Sequence, residues 1–204
     1  VVEALRTPRQ VQAWLNGLPY NTESDGETQR SFRGVVRTGR AHCMEAALSA
    51  AVILEQWGFP PLVMSLESVD RLDHVIFVYR GRHGWGSVAR SRDPGLHGRK
   101  PVFRSPRDLA LSYVDTYVDL TGRVVGYGVA DLSRLMGPYD WRLSTRNLWA
   151  VEQALIVLKH KRIASSNARI DRLRAKYRAY LAAHGSKPVY YDRSRWTPIP
   201  ESFR

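Results

Sequence analysis

The run MEAALSAAVIL, residues 44–54, constrains this chain more than any other stretch, because the helix it would form is apolar on nearly every face. A helix that is apolar all round must be covered on more than one side, so other elements have to wrap around a helix expected from about His42 to Trp57. Its alanines, 46, 47, 50 and 51, leave room for close neighbours, and Gly58 followed by Pro60-Pro61 stops it. At its start sits Cys43, the only cysteine among 204 residues.

The elements that would supply the cover can be read on either side. In TPRQVQAWLNG, Thr7 is placed to cap a first helix, Pro8 takes its first turn and Gly17 ends it, while Val11, Trp14, Leu15 and Leu18 form one apolar stripe. Residues 21–39 turn polar and read as a surface loop. After the central helix, PLVMSL and HVIFVY read as strands, with GWGSVAR the hairpin partner of the second across RGRHG. HVIFVY is apolar on both faces, which places it inside a covered sheet. A helix is expected over 105–118, another strand in RVVGYGVADL, and two helices in RNLWAVEQALIVLKHKRI and NARIDRLRAKYRAYLAAHG, before a proline- and aromatic-containing tail. This order predicts an α+β fold, a buried helix packed on an antiparallel sheet, with extra C-terminal helices. One domain over 1–204 is expected, its core at about 34–120 and its helical extension at about 145–186.

No stretch reaches the roughly 20 apolar residues that cross a bilayer, so no membrane partner is expected. The opening VVEALRTPRQ lacks the layout of a secretory signal, and the absence of an initiator Met leaves open whether an N-terminal segment was removed. One cysteine allows neither an internal disulfide nor a thiolate-rich zinc cluster, and a cytoplasmic location is expected. No cofactor is expected, and no ligand spacing supports a metal site. The formal net charge of +12 would attract nucleic acid or acidic substrates, although no nucleic-acid-binding motif accompanies it.

Cys43 stands where the free N–H groups of a helix's first turn favour a thiolate, and where its own N–H could serve half of an oxyanion hole. Glu45, in the same turn, opposes that charge. His74 opens an apolar strand, an odd place for a polar ring unless it meets a partner, and a strand packed over the helix start would bring it to the thiol. His42 is the poorer base, since successive helical side chains diverge by about 100°. His83 and His97 read as surface residues. Asp93, in ARSRDPG, is the carboxylate best placed to orient His74, with Ser91 a weaker option and Asp73 expected to face away. The plainer readings are a cysteine acting as a small buried hydrophobe, a core histidine and an aspartate shaping a turn.

HCMEAALSAAVILEQWGFPPLVM, then DHVIFVYR, then GWGSVARSRDPG resembles the core of the transglutaminase-like superfamily over about residues 34–95. Gly39, Cys43, Glu45, Gly58, Pro60, His74 and Gly84-Trp85 follow that pattern in order. The resemblance implies a papain-like fold, Cys43 as nucleophile, His74 as general base, and a Glu45 that is tolerated beside a working thiol. The family's aspartate falls about four residues after the hairpin Trp, where this chain has Ala89. Asp93 then substitutes, or the site is a Cys-His dyad, or catalysis has been lost.

The expected function is a cysteine-dependent hydrolase or acyltransferase acting on the amide bonds of a peptide or protein. The arginines and lysine at 80, 82, 90, 92, 99, 100, 104 and 107, flanking the site in sequence, predict an acidic substrate. The alternative is a non-catalytic basic module that binds nucleic acid or an acidic protein through Arg169, Arg172, Arg174, Lys176 and Arg178.

Overall fold

The computed structural model describes residues 1–71 and 73–185, so the C-terminal tail lies outside the described residues. The chain is α+β. In order it forms α1 (Pro8–Gly17), α2 (Phe32–Thr38), α3 (Cys43–Glu55), β1 (Leu62–Ser68), β2 (His74–Gly81), β3 (Gly84–Val88), β4 (Arg99–Phe103), α4 (Pro106–Tyr117), β5 (Val124–Asp131), α5 (Leu132–Met136), α6 (Trp149–Ile156), β6 (Lys161–Arg162) and α7 (Asn167–His184). The strands make one antiparallel sheet in the order β4-β3-β2-β1-β5-β6.

Side chains alternate across β2 as a doubly covered strand requires. Val75, Phe77 and Tyr79 join the core around α3, whereas Ile76 and Val78 join the core around α4. The helix that is apolar all round is covered all round: every residue from Met44 to Leu54 is buried. The sheet covers one side of it, through β1 and β2, and α1 and α2 pack on others.

Several elements differ from the sequence expectation. The stretch read as a loop contains α2, capped by Ser31 and closed by Gly39 in the left-handed conformation at φ 66°. β4 and the short α5 were not foreseen. The helix expected through residue 163 ends at Ile156, and Lys161–Arg162 instead pairs with Tyr127 and Gly126 on β5. An otherwise open sheet edge offers backbone partners that outweigh continued helical spacing. β5 and β6 extend the sheet beyond residue 120, past the expected core boundary.

The start of α3 is fixed by a capping box of unusual composition. His42, in extended conformation, accepts the Met44 N–H on Nδ1 at 3.2 Å, and Glu45 reaches back to the His42 N–H at 3.0 Å. Glu45 is fully buried and also accepts from Asn21 Nδ2 (3.2 Å), Thr28 Oγ1 (3.0 Å) and the Arg30 N–H (3.0 Å). Its carboxylate thus ties the segment before α2 to the first turn of α3, and Tyr20 bridges Ala41 beside it. Glu45→Ala would strand four donors, those of Asn21 and His42 buried and those of Thr28 and Arg30 partly so, and we expect a loss of about 3 kcal/mol, or a fall in Tm of about 10 °C. Glu45→Gln, which keeps one acceptor, should lose less. Thermal unfolding of both variants measures the difference.

Candidate functional site

Cys43 is the first residue of α3 and is partly exposed, at the floor of a cavity of about 780 Å³ that His42, His74 and Tyr20 also line. The free N–H groups of a buried 13-residue helix point toward it. Burial alone would push the thiol up. Hydrogen bonds from His42 and His74, and the charge on both rings, outweigh burial and hold Cys43 well below the ordinary thiol range.

The two imidazoles differ in what they are free to do. His74 donates Nε2–H to the Leu96 carbonyl at 2.9 Å. A carbonyl only accepts, so that bond fixes the tautomer and leaves the lone pair on Nδ1. The same ring is hydrogen-bonded to Cys43, which is the arrangement a general base needs. His42 is engaged on both nitrogens: Nε2–H donates to the Thr28 carbonyl at 2.8 Å, and Nδ1 accepts from Met44. Burial opposes charge on this ring, but the Cys43 thiolate, Glu45 and the Thr28 carbonyl prevail and lift it to about 9. A ring accepting the Met44 N–H is neutral, so taking up a proton on Nδ1 exchanges that cap bond for one to the sulfur. The protonated state is the one that favours negative charge on Cys43.

Sequence reasoning set His42 aside because neighbouring helical side chains diverge. His42 is not helical. It is the N-cap, with φ −90° and ψ −174°, and from there its ring folds back over the first turn. The HC pair at a predicted helix start was the available signal.

The partner of the His74 Nε2–H is the main-chain carbonyl of Leu96. Asp93 caps the 3₁₀ turn Pro94–Leu96, its Oδ1 accepting the Gly95 N–H at 2.8 Å and its carbonyl the Leu96 N–H at 3.1 Å. Asp93 therefore shapes the turn that presents the Leu96 carbonyl to His74, and it also lines the cavity. Ser91 Oγ accepts the Asp93 N–H at 3.1 Å, supporting the same turn. Ala89, at the position where the resemblance expects an aspartate, is buried and bound on both backbone groups by Gln12 of α1, at 2.8 and 2.9 Å. His97, expected at the surface, is buried instead, bonded to Asn16 Oδ1 at 3.0 Å and to the Ser91 carbonyl at 3.0 Å. Asp73, expected to face away, lines the cavity and accepts the Ser68 N–H at 3.0 Å.

Tyr20 was not foreseen. Its burial, followed by the Cys43 charge, raises its pKa, and its hydroxyl is hydrogen-bonded to the Cys43 backbone. That bond favours the phenolate, so the Cys43 N–H donates to the Tyr20 oxygen and the Tyr20 O–H is left as a donor near the sulfur.

The charges around the cavity reverse the sequence expectation. Of the basic residues that flank the site in sequence, Arg92 lines the cavity, whereas Arg90 and Arg99 are buried and hold the 91–97 turn through backbone carbonyls. The cavity wall carries carboxylates instead, at 23, 27, 67, 70, 73, 93, 119 and 152. On α7, Arg169 pairs with Asp115 and Arg174 bonds the Thr121 carbonyl, while Arg172, Lys176 and Arg178 are exposed. Among the described residues no helix is long and apolar enough to cross a membrane, and no group of three His, Cys, Asp or Glu side chains is disposed to hold a metal ion. No protein-family model matches this chain, and no curated protein is recognisably similar to it.

Because its pKa is depressed, the thiolate should persist below the ordinary range and disappear only as pH falls through the lowered midpoint. Iodoacetamide alkylation of Cys43 should therefore stay fast near pH 6. His74→Gln and His42→Asn, the latter keeping a capping side chain, should each move the midpoint up toward about 8.5. Midpoints unmoved by either change would separate the thiol from the rings.

Proposed function

We propose that this chain is a cysteine-dependent hydrolase or acyltransferase of amide bonds, built on a transglutaminase-like, papain-type core. The observation that carries the reading is a partly exposed thiol at the N-terminus of a buried helix, hydrogen-bonded to a histidine whose far nitrogen is fixed by the Leu96 carbonyl. Thiolate, oriented base and adjacent donors are the parts that acyl transfer requires.

In the proposed cycle the Cys43 sulfur bonds to the carbonyl carbon, and the carbonyl π electrons move to oxygen beside the Tyr20 hydroxyl. His74 carries the thiol proton on Nδ1 and delivers it to the departing amine as the C–N bond breaks. Water then attacks the thioester, His74 takes its proton, and the C–S bond breaks to release the acid and restore Cys43. An amine in place of water would complete a transfer. Hydrolysis is the outcome we propose. Location in the cytoplasm accords with the lone free thiol.

The test is release of new amine termini from a mixed peptide library. Cys43→Ala should abolish turnover, and Tyr20→Phe should lower kcat by about 10²-fold with KM little changed. Undiminished turnover in Cys43→Ala would overturn the assignment.

A further inference from the structure

The cavity above Cys43 is acidic in a protein of net charge +12, an inversion that a generally solvated basic surface does not produce. Apart from Asp93, its carboxylates fall into two groups. Glu23, Glu27 and Glu152 lie together near His42, which itself bonds Cys43. Glu67, Asp70 and Asp73 lie together near Tyr117, which senses both Asp70 and Cys43. Asp119 adjoins the second group through the Thr121 hydroxyl, which donates to Asp70 at 3.1 Å.

Half of these eight carboxylates lack a cation among the described residues. Glu67 meets Arg162 at 3.3 Å and Glu23 comes within 3.9 Å of His42, but among the described residues no Lys or Arg pairs with Glu27, Asp73, Asp119 or Glu152. Two arginines, Arg71 and Arg92, line the cavity. Burial, then the neighbouring Glu27, raises Glu152 above the usual carboxylate range, as expected where like charges crowd without a counter-ion.

A second observation points to a ligand with donor groups. Gln29 lines the cavity and is 7% exposed, its Nε2 is given to Glu152 at 2.7 Å, and its Oε1 has no hydrogen-bond partner. A buried acceptor without a donor is costly. An ammonium, a guanidinium or a peptide N–H reaching Glu152 would satisfy it at the same time.

We propose that the cleft selects peptides carrying two Lys or Arg side chains near the bond Cys43 attacks. The proposal rests on the nucleophile reading above and replaces the acidic substrate expected from sequence. The volume of about 780 Å³ accommodates more than one residue of a peptide, and two separate carboxylate groups in its wall call for two cationic side chains. The carboxylate group beside Gln29 and Glu152 would take one of them, and the group around Asp73 the other.

The test uses three epoxysuccinyl peptides that place the electrophile between two arms, bearing Lys on both, Gln on both or Glu on both. Labelling of Cys43 is followed by intact mass, and each rate is divided by that of iodoacetamide on the same protein. The Lys probe should react about tenfold faster than the Gln probe and the Glu probe more slowly still, with the gap narrowing as salt screens the cavity. Glu152→Gln and the exposed Glu27→Gln should each remove part of the Lys advantage. Equal rates for the three probes, or a faster Glu probe, with iodoacetamide still fast, would overturn the charge assignment and leave the nucleophile in place. Slow reaction with iodoacetamide itself would overturn both.

Discussion

The buried carboxylate of Glu45 is the joint on which the rest of the site is assembled. It closes the capping box with His42, gathers donors from Asn21, Thr28 and the Arg30 backbone, and so pins the preceding segment against the first turn of α3. That pinning has two consequences at the sulfur. The Thr28 carbonyl is held where it fixes the His42 ring, and Tyr20, bridged to Ala41, is held with its hydroxyl at the Cys43 backbone. Glu45 looks from sequence like a charge that would suppress a thiolate. In place, its lone pairs are occupied by donors, and it helps to sustain positive charge on His42.

The other half of the site is built from the far side of the sheet. β2 carries His74 to the helix start, and the 91–97 turn brings Leu96 under the ring. That turn is gripped from three directions: Gln12 holds its approach at Ala89, Arg90 reaches the Leu18 carbonyl at 3.0 Å, and Arg99 binds the His97 carbonyl at 2.6 Å while stacking 4.1 Å from the centre of the Tyr113 ring. Two of the arginines that read as a charged rim, Arg90 and Arg99, are therefore structural cations inside the fold, taking up backbone carbonyls that a tight turn leaves exposed. A carbonyl orienting an imidazole does the positional part of a carboxylate's work. It fixes the tautomer without adding a full negative charge.

What could be read from sequence was what depends on local pattern. The all-apolar helix, the doubly covered strand and the hairpin after it follow from periodicity and from Gly and Pro stops, and α1 follows from Thr7, Pro8 and Gly17. α2 escaped because its seven residues show too little apolar repeat, although Ser31 and Gly39 mark both ends. β6 escaped because an edge pairing on β5 is a tertiary fact. At the site, Cys43 and His74 were legible from their places at an element's start. His42 was misjudged by treating a cap as helix, and Leu96 was invisible, because any residue supplies a carbonyl. The sign of the cavity's charge was likewise hidden: Glu27, Asp73 and Glu152 lie more than 100 residues apart at their extremes, and only folding brings them round one thiol.

The central claim is that Cys43 is a thiolate held by two imidazoles, and the lone cysteine makes that directly measurable. Thiolate absorbance in the ultraviolet, titrated with pH and taken as the difference between the natural chain and Cys43→Ser, reports this one sulfur. The account predicts a thiolate signal that persists well below the ordinary thiol range and collapses in a single step at acid pH. A signal that appears only on raising pH, with a midpoint at about 8.5 or above, would contradict it.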